Sequence, residues 1–270
     1  MKFFREIAFI LASSLLVTCA TVPLTGRKQF TIIPSSEMLS LSFSSYQQVL
    51  KENKVSTNTK YVNTVREVGQ NLTSAVEQYF REQNQSNLLD GYVWEFNVLV
   101  SDEMNAWCMP GGKIAFYEGI MPVCADATGV AVVMSHEIAH AIANHGNERL
   151  SQQLALQLGG VALDVALAKE PETTRQLALT AFGVGSQVGV LLPYSRKHES
   201  EADELGLYFM AMAGYNPRQA VAFWERMMAM SKGSPPEFLS THPSDQTRIN
   251  NLNAKMNKAL EYYQKSNIRR

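Results

Sequence analysis

Val132-Val133-Met134-Ser135-His136-Glu137-Ile138-Ala139-His140-Ala141-Ile142 decides how the chain is read, because it joins an unbroken helical pattern to two histidines one turn apart. One helix is expected from Asp126 to about Leu150, with Gly129, Val132, Val133, His136, Ala139, His140 and Ala143 returning on one face. Residues four apart on a helix lie one above the other, so both imidazoles can reach a single ion at about 2.0 Å. Glu137 projects about 100° away, within reach of a water on that ion. A zinc ion held this way brings the pKa of water to about 7 and polarises an amide carbonyl. A carboxylate can then take the water's proton and pass it to the leaving amine. The competing reading is a core helix whose histidines satisfy buried hydrogen bonds. The uncharged neighbours Val133, Met134, Ser135, Ile138, Ala139, Ala141 and Ile142 favour the metal-site reading, because such a helix must thread the core.

A third ligand is needed, and His145 does not supply it. It lies nine residues past His136, about 180° round the helix, and is expected as an outward polar residue. The downstream helix Tyr194-Ser195-Arg196-Lys197-His198-Glu199-Ser200-Glu201-Ala202-Asp203-Glu204-Leu205-Gly206 offers several carboxylates. Glu199 shares a face with Ala202, Asp203, Gly206, Phe209, Met210 and Ala213, which are small or apolar, whereas Glu201 and Glu204 point to the more polar side. An inward carboxylate is costly unless paired or metal-bound, so Glu199 is read as the third metal ligand. Asp203, one turn on, suits the acceptor for a ligating histidine's outer N–H. His198, about 100° round the helix from Glu199, is read as a polar group at an interface or behind a ligand rather than as a ligand itself. A charge cluster that only solvates the helix is the alternative.

Outward from this centre, Ser36 to about Glu82 reads as helical, with Val62, Val65, Val68, Gly69, Leu72, Val76 and Tyr79 forming one apolar face. Val93–Val100 alternates Trp94, Phe96, Val98 and Val100 as a half-buried strand should. Lys113–Tyr117 is a second strand, and Pro110-Gly111-Gly112 turns the chain between them. Helices, a small sheet and more helices make an α+β fold. Gln176–Ser195 carries no charge for twenty positions, but Gly183, Gly185, Ser186, Gln187, Gly189 and Pro193 dilute it. It is read as a buried or lid-like segment over the cleft rather than a membrane span.

At the N-terminus, Lys2 and Arg5 precede the apolar run Ile7–Val17, a secretory signal over residues 1–18. Leu16-Val17-Thr18-Cys19 resembles a bacterial lipobox, which makes Cys19 a candidate lipidated terminus, although Thr18 departs from the usual small residue there. A plain signal cut after Ala20 is the alternative. Residues 19–35 are expected as an extended tether, and 36–270 as one domain. Cys108 and Cys124 then remain as an even pair, so either a disulfide between them or two free thiols is open. The 24 basic and 25 acidic residues form no block of one sign, which argues against nucleic acid as a partner.

His136-Glu137-Ile138-Ala139-His140 followed by Glu199-Ser200-Glu201-Ala202-Asp203 resembles the gluzincin peptidase family M48, which includes the CaaX prenyl proteases and bacterial periplasmic quality-control peptidases. The likeness runs from Asn105-Ala106 to Thr241-His242-Pro243. It implies a mainly helical, zincin-type metallopeptidase domain with a small mixed sheet beside the cleft. It also implies one Zn2+ per chain on His136, His140 and Glu199, with Glu137 as base and Asp203 behind a ligand. Asn105-Ala106-Trp107 matches the family's edge strand, where an extended substrate pairs. His242 matches a histidine that approaches the metal, either as an oxyanion stabiliser or as the occupant of the open metal position in a latent state.

The chain lacks the prenyl proteases' spans, so the soluble lipoprotein members are the nearer comparison. The resemblance therefore implies a bacterial periplasmic endopeptidase on an outer-membrane lipid anchor, degrading unfolded or unassembled envelope proteins. A chaperone-like factor that binds extended chains in the same cleft is the other reading, and an intact Glu137 argues against it because a structural zinc needs no base.

Overall fold

The computed structural model describes residues 19–230, 237–242 and 246–266. The expected signal peptide, residues 1–18, and the Cys19 side chain proposed for lipidation lie outside the described residues. Among the described residues, 19–35 form one compact unit with Asn144–Lys197, and Ser36–Ala143 forms a second with those from His198 on. The single domain expected over 36–270 is therefore divided.

The second unit is built on two helices where one helical region was expected, α1 at Ser35–Glu52 and α2 at Thr59–Glu82. Asn58 caps α2, its side chain accepting from the Tyr61 N–H, which supplies an orphan donor with a partner and starts the helix there. The buried face of α2 is Val65, Val68, Gly69, Leu72, Val76 and Phe80, so Phe80 rather than Tyr79 completes the stripe. Gly69 is required, because a Cβ there would sit 2.4 Å from the Phe96 ring.

Phe96 belongs to β3, Glu95–Leu99, which pairs in parallel with β5, Lys113–Tyr117. Between them in sequence, Ala106–Met109 forms a strand of its own, β4, antiparallel to β5, so the sheet order is β3-β5-β4 and the sheet is mixed. Gly111 and Gly112 turn the β4–β5 connection with φ of 82° and 84°, which side chains rarely adopt. The expected alternation through Val100 fails: Val98 and Leu99 are both buried and Val100 is exposed. Both faces of this end of β3 are covered, so period-two patterning is lost.

The central helix α3, Ala127–Ile142, begins at Asp126, whose side chain accepts from the Gly129 N–H at 2.9 Å. It is buried on almost every side, as a helix with apolar residues all round should be. It stops eight residues earlier than expected. Asn144 adopts the left-handed conformation, φ 58°, which asparagine tolerates, and a new helix, α4, runs from His145 to Ala166. Downstream in the second unit, α6 (Leu192–Met212, entered from the first unit), α7 (Arg218–Met230), the short helix Glu237–Thr241 and α8 (Gln246–Lys265) complete the fold.

In the first unit, residues 19–35 are not a tether. Cys19–Thr21 (β1) and Lys28–Phe30 (β2) pair as an antiparallel hairpin, with Val22 fully buried. Arg27 grips the buried Glu148 of α4 through two hydrogen bonds, at 3.0 and 2.7 Å. The Ile32 N–H donates to Ser151 Oγ, and Asn147 donates to the Ile33 carbonyl. His145 is buried in this unit, not outward. Helix α5, Glu172–Ser186, passes through a π-helical stretch, Gln187–Leu191, into α6. This is the segment expected to be buried or to act as a lid, and none of its described residues is buried before His198.

Candidate active site

The α3 spacing does what one helical turn dictates: His136 Nε2 and His140 Nε2 face each other at 3.1 Å. Glu199 enters from α6, its Oε2 3.4 Å from His136 Nε2 and its Oε1 3.3 Å from His140 Nε2. The close approach of α6 to α3 is set by Gly206, where a Cβ would stand 2.9 Å from the His136 backbone nitrogen. His242, just after the short helix Glu237–Thr241, places Nδ1 3.1 Å from His136 Nε2 and 3.0 Å from Glu199 Oε2. Donor atoms of His136, His140, Glu199 and His242 thus lie within 4.8 Å of one another and could hold a metal ion.

Asp203 stands where it was expected, its Oδ1 3.0 Å from His136 Nδ1, on the side of the ring away from the cluster. Glu201 is as buried as Glu199, against expectation, yet it is outside the donor group. Glu204 instead pairs with Lys255 on the surface. Face geometry, not burial, separates the ligand candidate from its neighbours.

The sequence reading missed Arg248 of α8. Its Nη2 lies 2.8 Å from Glu199 Oε2, its Nε 2.6 Å from Asp203 Oδ2, and its Nη1 donates to the His242 carbonyl at 3.0 Å. The guanidinium is buried and stacks 3.8 Å over Trp224, whose ring meets His136 edge-on. Two inward carboxylates on one helix demand a buried cation, and that demand was the available signal.

Electrostatics follow from this packing. Burial works against the Glu199 charge, but His140, His136 and His242 override it and hold the carboxyl well below the usual carboxylate range. Burial also opposes charge on Asp203 and on His136. Arg248 and His136 nevertheless lower the Asp203 pKa, while Asp203 and Glu199 raise that of His136 to about 9. Glu137 differs. Burial dominates there and raises its pKa, despite the nearby His242 and His136.

The donor set fits a metal. Glu199 Oε1 and Glu137 Oε1 are buried and make no hydrogen bond among the described residues, which is expected of groups whose partners are an ion and a reactant.

β4 is an edge strand of its sheet and packs on α3. Ala106 and Trp107 lie in it and Asn105 immediately precedes it; the Asn105 carbonyl accepts from the Tyr117 N–H, and Trp107 packs edge-on against Tyr46. Cys108 and Cys124 are free thiols, so the possible disulfide is not formed. Burial and then the neighbouring Glu137 carboxylate push the Cys108 pKa up, which leaves the thiol neutral.

The model described as peptidase family M48 matches residues 67–256. The chain is 36% identical over 201 residues to the mitochondrial metalloendopeptidase OMA1 of Saccharomyces cerevisiae, covering 71% of this chain and 55% of that protein. It is 37% identical over 165 residues to the Schizosaccharomyces pombe protein of the same name, covering 59% and 45%. The beta-barrel assembly-enhancing protease of Escherichia coli is 27% identical over 161 residues, covering 58% and 33%. The chain spans about half the length of the yeast relatives it matches. The expected bacterial periplasm and outer-membrane anchor are overturned by these comparisons, since the relatives of higher identity are named as mitochondrial. A basic start and an apolar run mark a targeting segment but do not name the membrane it serves.

Proposed function

Because the chain belongs to peptidase family M48, we propose that it is a zinc-dependent endopeptidase acting on extended segments of unfolded or unassembled proteins. The observation that carries this reading is the convergence of His136, His140, Glu199 and His242 donor atoms within 4.8 Å. Beside them, His242 Nε2 lies 3.5 Å from Glu137 Oε1. His136, His140 and Glu199 are the metal ligands. When bound, the ion supplies Lewis acidity to the scissile carbonyl and to water.

The protein's own groups do the rest. Glu137, held in a buried site that favours proton uptake, takes the proton from the attacking water and delivers it to the amine nitrogen as the C–N bond breaks. Asp203 fixes His136 from the far side of its ring, keeping Nε2 turned towards His140 and Glu199, where it would hold the ion. An extended substrate adds to the β4 edge at Asn105, Ala106 and Trp107, so backbone pairing aligns it with little demand on side-chain sequence. His242 stands between the ligands and the base, in the space a substrate carbonyl and water require. This favours a resting role in which the imidazole must leave before cleavage.

A casein time course with zinc-loaded protein tests the reading. Glu137→Gln should keep its metal and lose cleavage; retained cleavage removes the proposed base. His242→Ala should raise basal cleavage. A loss of turnover, on the order of 10²–10³-fold, would assign His242 to the oxyanion instead.

A further inference from the structure

The first unit carries a surface that its own packing does not explain. The N-terminal segment bonds the start of α4, where Arg27 and the Phe30 N–H reach Glu148, the Ile32 N–H reaches Ser151 and the Ile33 carbonyl accepts from Asn147. From residue 153 to 188 no residue of α4, α5 or the π-helical stretch is buried. Leu158, Val161, Val165, Leu177, Val184 and Val188 are 60–72% exposed. In α4 they recur at three- and four-residue spacing, and in α5 Leu177 and Val184 stand seven residues, about two turns, apart with Val188 four residues further on in the π-helical stretch, so each helix presents an apolar stripe. The two helices meet at Gly159 and Gly160, against the Phe182 ring.

The flanks of these stripes carry Gln, Thr, Ala and Gly, and no charged residue occurs from 150 to 163 or from 176 to 195. Charge returns at the connection, in Asp164, Lys169, Glu170, Glu172 and Arg175, and at the opposite ends, in Arg149, Arg196 and Lys197. By contrast, α8 of the same protein carries Arg248, Lys255, Lys258, Glu261 and Lys265 within one helix. A protein partner would cover the stripes and leave the flanks in water, where charges are cheap and ordinary. Acyl chains wet the flanks as well and make any charge there expensive. Residues 150–163 rise only about 21 Å as helix, short of the roughly 30 Å of a bilayer core, and among the described residues no single helix is long and apolar enough to cross a membrane. The apolar run Ile7–Val17 in the sequence ends just before β1, the strand that opens this same unit.

We infer that the α4–α5 helical hairpin is a lipid-docking element, lying in the acyl region of one leaflet with its charged connection and ends at the headgroups. The occupant is lipid, and a second copy of the chain is the alternative that the test must exclude.

Tryptophan placed at Leu158 or Val184 in the full-length protein reads the environment of the hairpin, and Lys258→Trp on exposed α8 is the control. Emission is compared with that of the unsubstituted protein, which has Trp94, Trp107 and Trp224, in phosphatidylcholine vesicles with and without brominated acyl chains. Leu158→Trp and Val184→Trp should shift to the blue on vesicle addition and lose most of the added emission to brominated lipid, while Lys258→Trp keeps it. An N-terminal anchor would tether all three variants equally, so the difference between positions reports docking alone. Quenching at 158 and 184 no greater than at 258 overturns the proposal. A blue shift without vesicles that grows with protein concentration, and resists brominated lipid, overturns it in favour of a second copy. Casein cleavage by each variant confirms folding, since none of the three positions touches the active site.

Discussion

Arg248 is the residue on which the charge balance of the site rests. Like the His136 ring it touches both Glu199 and Asp203, but it does so as a permanent cation, and it also holds the His242 carbonyl. Removing one partner of a buried ionic cluster costs more than the cluster contributes, because the remaining charges stay desolvated. Arg248→Met should therefore lower the stability of metal-free protein by about 3–5 kcal/mol, read from the urea midpoint, and Arg248→Lys should recover only part of it. An unchanged midpoint would mean the carboxylates are neutralised some other way. Glu137 gives a second expectation. Its pKa is raised above the ordinary 4.5, chiefly by burial. Only the deprotonated form accepts a proton, so kcat/KM should fall as pH drops through that raised value. A pH profile flat down to the ordinary glutamate range would show that Glu137 does not set the acid limb.

At the scale of elements, the site is the meeting of α3 and α6, and Gly206 determines how closely they meet. Glycine to alanine inside a helix ordinarily gains about 0.5–1 kcal/mol. Here the added Cβ would stand 2.9 Å from the His136 nitrogen and 3.0 Å from its Cα, backbone atoms that cannot rotate away. Overpacking, at about 1–3 kcal/mol, should win, pushing Glu199 and Asp203 off His136. Gly206→Ala is expected to lower Tm and to retain less metal after dialysis; full metal content at unchanged Tm would show that the helices separate without cost. The short helix Glu237–Thr241 has the complementary task. Phe238 packs against the His242 ring at 4.7 Å and stacks on Trp224, so the imidazole is aimed by an aromatic pair rather than by a long element.

Across the whole molecule, what the sequence settled is what a single segment can encode. The His136–His140 pairing follows from the helical repeat, Glu199 and Asp203 from one face of one helix, and Lys113–Tyr117 from composition and a glycine turn. Each needs only backbone periodicity and side-chain direction, which are local properties. Where neighbours in space came from distant sequence, local reading fell short. His242 meets His136 across 106 residues, a meeting that only family likeness suggested, and Arg248 meets Glu199 across 49. The N-terminal hairpin docks on α4 through Arg27 and Glu148, 121 residues apart, where no periodicity announced it. The uncharged run after Gln176 read as buried because composition reports preference for an apolar phase, not which phase is supplied. Tertiary packing decided that those residues face outward, and that Cys108 and Cys124 remain apart as free thiols. The physical reason is common to these cases: dihedral preference and facing are set within a few residues, whereas burial and ion-pair partners are set by which surfaces the rest of the chain brings together.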